Sequence, residues 1–143
     1  MSELKIILIY CAPEQDAQGL TNFGKAQAEK SASILVWECL GVIDRFSQTS
    51  GTAVYETAQI IAKNLGIQMD RINKIEFDTS SREAVIVSVK KILTEMAQVK
   101  NNSTAIIVVE TCPGLKPGEA KRFFVPPNSD EPLDAGIVPM PPR

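Results

Sequence analysis

Residues 20–28 read Leu20-Thr21-Asn22-Phe23-Gly24-Lys25-Ala26-Gln27-Ala28, and the rest of the chain is best read outward from this stretch. Thr21 supplies the side-chain oxygen that caps a helix, so a helix is expected to begin near Asn22. Gly24, Gln27, Ala28, Ser31, Ile34 and Leu35 then recur on one side at helical spacing. The small members of that stripe imply close packing against a neighbouring element. Just upstream, Leu4 to Tyr10 (LKIILIY) is an isoleucine-rich apolar run bounded by Ala12-Pro13, as in a strand buried on both faces.

Downstream, apolar runs alternate with helical patterns. Val42 to Phe46 is a second candidate strand. Gly51 to Leu65 is an amphipathic helix with Val54, Thr57, Ala58, Ile61 and Leu65 aligned and Gly66 as its stop. Ile72 to Phe77 is a further strand candidate. Ser80 and Glu83 form a capping box opening a third helix, with Val85, Val89, Ile92, Leu93 and Met96 on its face and an end near Lys100-Asn101-Asn102. Ala105 to Val109 (AIIVV) is the clearest strand. Beyond Pro113 prolines recur, and the short apolar pieces Phe123 to Val125 and Gly136 to Val138 predict an edge strand or two in otherwise irregular chain. Strands alternating with helices predict an α/β fold, a three-layer αβα sandwich with a mainly parallel sheet. Residues 1–143 are expected to form a single domain, with 113–143 its irregular, Pro-rich part.

Composition narrows the function. The 143 residues carry a formal net charge of −2 and are 44% hydrophobic, enough to bury a core. No basic stripe exists, which argues against nucleic acid or an anionic membrane as partner. No run approaches the roughly 20 apolar residues of a membrane span. Met1 to Tyr10 lacks a basic region and a cleavage site, so no signal peptide and a cytoplasmic location are expected. Cys11, Cys39 and Cys112 are widely spaced and odd in number, neither a disulfide framework nor a zinc pattern, so no metal or cofactor is expected. The acceptor patterns at Asn101-Asn102-Ser103-Thr104 read as a turn. The chain contains no histidine.

Two segments resemble those of a known family. Residues 20–28 are similar to the L-T-x-x-G-x-x-Q-A segment of the histidine phosphatase (phosphoglycerate mutase-like) superfamily. Asp44-Arg45-Phe46, followed by Glu56-Thr57-Ala58-Gln59-Ile60-Ile61, resembles its D-R-V-x-S-S-P-x-x-R-A-x-Q-T-A-x-I-I segment at the same spacing. The order of elements agrees over residues 4 to 112, and the length is most like the phosphohistidine-phosphatase-type subgroup. The resemblance implies a phosphoglycerate mutase-like fold. It also implies a site in which an Arg-His-Gly/Ala tripeptide closes the first strand and its histidine attacks a phosphoryl group. A second histidine follows the late strand, and an arginine precedes the Gln-Thr-Ala motif.

This sequence departs from that pattern at each of those positions. The tripeptide is Tyr10-Cys11-Ala12, the arginine before the Gln-Thr-Ala motif is Ala53, and the Ser-Ser-Pro turn is Gln48-Thr49-Ser50. The late histidine region is Glu110-Thr111-Cys112-Pro113, with Thr111 nearest the histidine position. No phosphatase or mutase activity of the family's kind is expected, since nucleophile and cations are gone together. The expectation is a catalytically inactive fold kept as a binding or interaction module, with an unidentified protein or small molecule as partner.

The alternative is a phosphoester or other hydrolase using Cys11 in the ancestral crevice, with Cys11, Glu110 and Thr111 as candidate ligand-binding residues. Cys11 and Cys112 both fall at strand ends, where α/β sheets hold ligands, and the resemblance implies that those two strands are neighbours in the sheet, which would bring the thiols close. Against thiol chemistry, no general base adjoins them and the residue six after Cys11 is Ala17, not the arginine of a C-x5-R loop. Buried free cysteine is also an ordinary small hydrophobe. A small-molecule sensor of a neutral or cationic ligand is a third reading. An unrelated flavodoxin-like or Rossmann-like domain would need a Gly-rich loop where Cys11-Ala12-Pro13-Glu14 stands. Lys116, Lys121 and Arg122 could restore some anion binding or form a solvated cluster. Trp37, if exposed, is a candidate partner contact. Pro139 to Pro142, with Arg143, matches a polyproline ligand pattern.

Overall fold

The computed structural model describes residues 4–99, 101–127, 129 and 131–138, so the Pro139-to-Arg143 motif lies outside the described residues. Strand β1 (Lys5–Cys11) is followed by a two-residue hairpin, β2 (Gln15–Asp16) and β3 (Gly19–Leu20), then helix α1 (Asn22–Glu38). Next come β4 (Val42–Gln48), α2 (Thr52–Leu65), β5 (Ile72–Lys74), α3 (Arg82–Glu95), β6 (Ser103–Val109), β7 (Ala120–Val125) and β8 (Leu133–Val138). Short 3-10 turns precede β5 and follow α3.

The main sheet has the order β5-β4-β6-β1-β7-β8. Strands β5, β4, β6 and β1 pair in parallel; β7 is antiparallel to both its neighbours, β1 and β8. Side chains alternate across this sheet. Leu8, Tyr10, Phe46, Ile106 and Val108 face α1 and α2, packing on Ala32, Leu35, Val54, Ala58 and Ile61. Ile7, Ile9, Ile107, Val109 and Phe123 face α3 through Val85, Val89 and Ile92. This is the three-layer αβα sandwich, and β1 and β6, covered on both sides, needed to be apolar throughout.

The two recognisable segments turn out to meet in space. Thr21 caps α1, its Oγ1 accepting from the Gly24 amide at 3.0 Å, and the hydroxyl donates in turn to Glu14. A β-carbon on Gly24 would stand 2.1 Å from the Glu14 carbonyl oxygen, so only glycine lets the helix sit so close to that loop. Glu56 of α2 accepts from the Leu20 amide at 2.9 Å, fastening the hairpin in front of α1 to α2. In the second segment Thr57 Oγ1 donates to the Ala53 carbonyl at 2.6 Å, while Arg45 ties β4 to the end of α3 through Glu95.

Several boundaries differ from the expectation. The α3 cap is Ser81, whose Oγ accepts from the Ala84 amide; the Ser80 amide instead donates to Asp78 in a local turn. That substitutes a simple cap for the Ser80–Glu83 box. Helix α3 stops at Glu95, before the expected end. The strand expected over Ile72 to Phe77 pairs only over Ile72–Lys74, because β5 is an edge with a single neighbour to hold it. The β2–β3 hairpin falls where a plain polar loop was expected. The segment with Phe123 is not an edge: β7 lies between β1 and β8, and of these two C-terminal strands β8 is the one at the edge. No described helix is long and apolar enough to cross a membrane.

Candidate functional site

The carboxyl ends of β1, β6 and β4 lie side by side, with Cys11 opposite Val109 and Gln48 opposite Val108. This is where an α/β sheet holds a ligand. The structure brings Cys11, Glu110 and Cys112 together there. The Cys11 thiol donates to the Glu110 carbonyl at 3.3 Å, and the Cys112 amide and thiol both act on it. The chain from Cys112 to Glu119 then folds back across the strand end. Gly118 donates to the Cys11 carbonyl, and Cys11 donates to that of Glu119. Gly118 itself packs on Gln27 of α1, whose amide a β-carbon at this glycine would strike. Both thiols are consequently buried.

Burial governs their chemistry. Loss of solvent pushes Cys11 up to about 11, with the nearby Cys112, Glu119 and Glu110 adding to it and the Cys112 amide opposing it weakly. Cys112 is also raised by burial, which outweighs the favourable charge of Lys121. Cys39, away from the crevice beside Glu38, is likewise pushed up to about 11 by burial. A thiol at 11 is ionised to only about one part in 10⁴ at neutral pH. It is a poor nucleophile for that reason.

A raised thiol value makes the folded state hold its proton longer than the unfolded chain does. Stability is therefore unaffected below about pH 9 and is lost as the pH rises towards 11, by at most about 3 kcal/mol for Cys11. Urea midpoints at about pH 8 and about pH 10.5 test this. The midpoint is expected to fall, less so in Cys11→Ala, and iodoacetamide is expected to label Cys11 slowly near neutrality. A flat stability profile with rapid neutral labelling would contradict the burial argument.

The remaining positions are scattered. Tyr10 is fully buried on the opposite face of β1, its hydroxyl donating to Ser31 Oγ at 2.8 Å. Burial pushes it up to about 12, against the lowering effect of the Ser31 bond. It belongs to the core and not to the crevice. Ala53 is buried in the first turn of α2, and Thr111 is exposed after β6. The cations do not gather: Lys121 pairs with Asp134 at 2.7 Å, Arg122 with Glu38 across the sheet, and Lys116 is exposed on the loop. β7 separates Lys121 and Arg122 because adjacent strand residues point to opposite faces.

One feature was missed from sequence. A β-carbon on Gly51 would lie 3.7 Å from Glu110 Oε2, so the Glu110 carboxylate stands over the amino terminus of α2, which has no side-chain cap. A helix amino terminus favours negative charge, and the exposed Glu110 carboxylate lies beside this one without a hydrogen bond to it among the described residues. The sequence offered no signal for this, since Glu110 and Gly51 are joined only through the β4–β6 pairing.

The fold is an αβα sandwich whose candidate site is the crevice at the strand ends, beside the amino terminus of α2. Solved structures are similar over almost the full chain. The protein histidine phosphatase SixA complexed with tungstate matches with a TM-score of 0.66 at 14% identity, covering 94% of this chain and 96% of that one. Phosphoserine phosphatase from Entamoeba histolytica gives 0.64 at 13%, with coverage of 94% and 96%. Phosphoglycerate mutase from Plasmodium falciparum gives 0.60 at 14%, with 98% and 95%. The chain has a phosphoglycerate mutase-like fold. No family model matches it, and no curated protein does.

Proposed function

We propose that this chain is a degenerate member of the histidine phosphatase superfamily that has lost phosphoryl chemistry and serves as a binding or interaction module. The observation that carries this reading is the Glu110 carboxylate over α2, in a crevice whose thiol is held neutral by burial. An enzyme acting on phosphate esters needs cations there to hold a dianion and a group to attack phosphorus. This chain has Tyr10, Cys11, Ala53 and Thr111 at the family's arginine and histidine positions, and a carboxylate that repels the substrate. The structural neighbours include phosphatases; the likeness to them is one of fold.

An interaction role draws support from Trp37, which is 85% exposed near the end of α1, with Val36 beside it and Val42 also exposed. Turnover of p-nitrophenyl phosphate by the purified chain is expected to equal the blank between neutral and mildly alkaline pH. Turnover above the blank that disappears in Cys11→Ser would defeat this reading and favour a thiol-based hydrolase. Turnover that survives that change would point to a contaminant.

A further inference from the structure

Cys11 and Cys112 are far apart along the chain, and the sheet brings them together. Cys11 ends β1 opposite Val109, the last residue of β6 on the neighbouring parallel strand. Such neighbours stand about 4.8 Å apart, within the α-carbon separation that a disulfide spans. Past Val109 the chain stays at this strand end. The Ala12 amide donates to the Val109 carbonyl at 2.8 Å, and the Cys11 thiol donates to that of Glu110 at 3.3 Å. Cys112 then packs on the α3 side of the sheet, in one cluster with Ile9 and Val109. Cys11 points to that side too, because alternate residues of a strand share a face and Ile7 and Ile9 face α3. Of the titratable groups around the Cys11 thiol, the Cys112 thiol acts on it most strongly.

The two thiols have different surroundings. Cys11 is closed in by backbone and lies near Glu110 and Glu119, whereas Cys112 sits in a loop under the charge of Lys121, which favours its thiolate. Cys39 is at the other end of the sheet: it follows α1, and its neighbour Leu40 donates to Thr104 near the start of β6.

We infer that Cys11 and Cys112 form a dithiol–disulfide pair, oxidised by a small-molecule disulfide, whose bond staples the Cys112-to-Glu119 loop to the end of β1. The Cys112 thiolate attacks the reagent, giving a mixed disulfide and releasing one reagent thiol. Cys11 then loses its proton and attacks the Cys112 sulfur, and the second reagent thiol leaves. Two protein thiols and one reagent disulfide thus become one protein disulfide and two reagent thiols. Burial keeps both protein thiols protonated, so the exchange is slow while the loop stays closed. The pair is independent of whether the chain retains any phosphoryl chemistry.

For the test, the reduced full chain is unfolded in urea, refolded in a buffer of oxidised and reduced glutathione, quenched with acid, alkylated and mapped by peptide mass spectrometry. Cys39 is the nearer partner of Cys11 along the chain, so loop closure in the unfolded state alone would favour that bridge about sevenfold over Cys11 to Cys112. The fold is expected to reverse the order. The Cys11-to-Cys112 bridge, lighter by two hydrogens, should exceed any bridge containing Cys39 at least about tenfold. The bridged chain should also melt at least about 5 °C higher than the reduced one. In Cys11→Ser, Cys112 is expected to be recovered unbridged. Bridges in the unfolded-state ratio would overturn the assignment. Glutathione adducts on both Cys11 and Cys112 in place of a bridge would do the same, as would a bridged chain that melts no higher than the reduced one.

Discussion

Gly24→Ala is expected to destabilise the protein by about 3 kcal/mol, which for a chain of this size lowers the melting temperature by about 10 °C. The added carbon would lie 2.1 Å from the Glu14 carbonyl oxygen, and what it meets is backbone. That carbonyl already accepts the Thr21 amide at 3.2 Å, so it cannot retreat without giving up the contact that seats α1. Relief would come only by moving the whole helix away from the β2–β3 hairpin, loosening its packing on α2. Gly66→Ala makes the comparison clean. Gly66 has φ +75 but nothing within 4 Å of an added carbon, so its cost is backbone strain alone, about 1 kcal/mol. Differential scanning calorimetry of the two variants would decide. If Gly24→Ala melts no lower than Gly66→Ala, the close approach of α1 to Glu14 is not what the glycine serves.

The second large effect lies in the Pro-rich part of the chain. Phe123→Ala should cost about 3–5 kcal/mol, the price of emptying a well-packed aromatic site. Phe123 is 1% exposed on β7, opposite Ile7 of β1, and packs within the cluster beneath α3. Ile137 on the neighbouring edge strand is 51% exposed, and its change to alanine should cost below about 1 kcal/mol. Urea denaturation of both variants separates a structural β7 from a loosely attached tail. Equal and small losses would mean that the segment after Pro113 contributes little to the core.

Much of the fold was legible because its signals are local. Thr21 and Gly66 declared the ends of two helices by cap chemistry that depends on adjacent residues alone. The runs in β1 and β6 announced strands covered on both faces. The expectation about β7 failed because prolines flank it, and proline density says nothing about which neighbour an intervening apolar run will find. Ser80 and Ser81 are equally good caps on paper. The choice fell to Ser81 once Asp78 had engaged the Ser80 amide in a turn.

The candidate site was half legible. The absence of any histidine is a matter of composition and needed no coordinates; that Tyr10 and Ala53 stand at arginine positions is what the resemblance implied. That Cys11 and Cys112 approach each other was expected from the strand order that the resemblance implied. Tyr10 could not be placed by sequence, since one residue of register on β1 decides between the crevice and the core. Nor could the thiol chemistry be read, because it is set by the loop from Cys112 to Glu119 closing over the strand end. The sequence by itself determined that phosphohistidine chemistry is absent, since a nucleophile that is not encoded cannot be folded into existence. Only the tertiary structure decided what stands in its place: a buried neutral thiol, and the Glu110 carboxylate at the amino terminus of α2. Both arise from contacts between residues dozens of positions apart, which pairing of the strands, and nothing local, brings together.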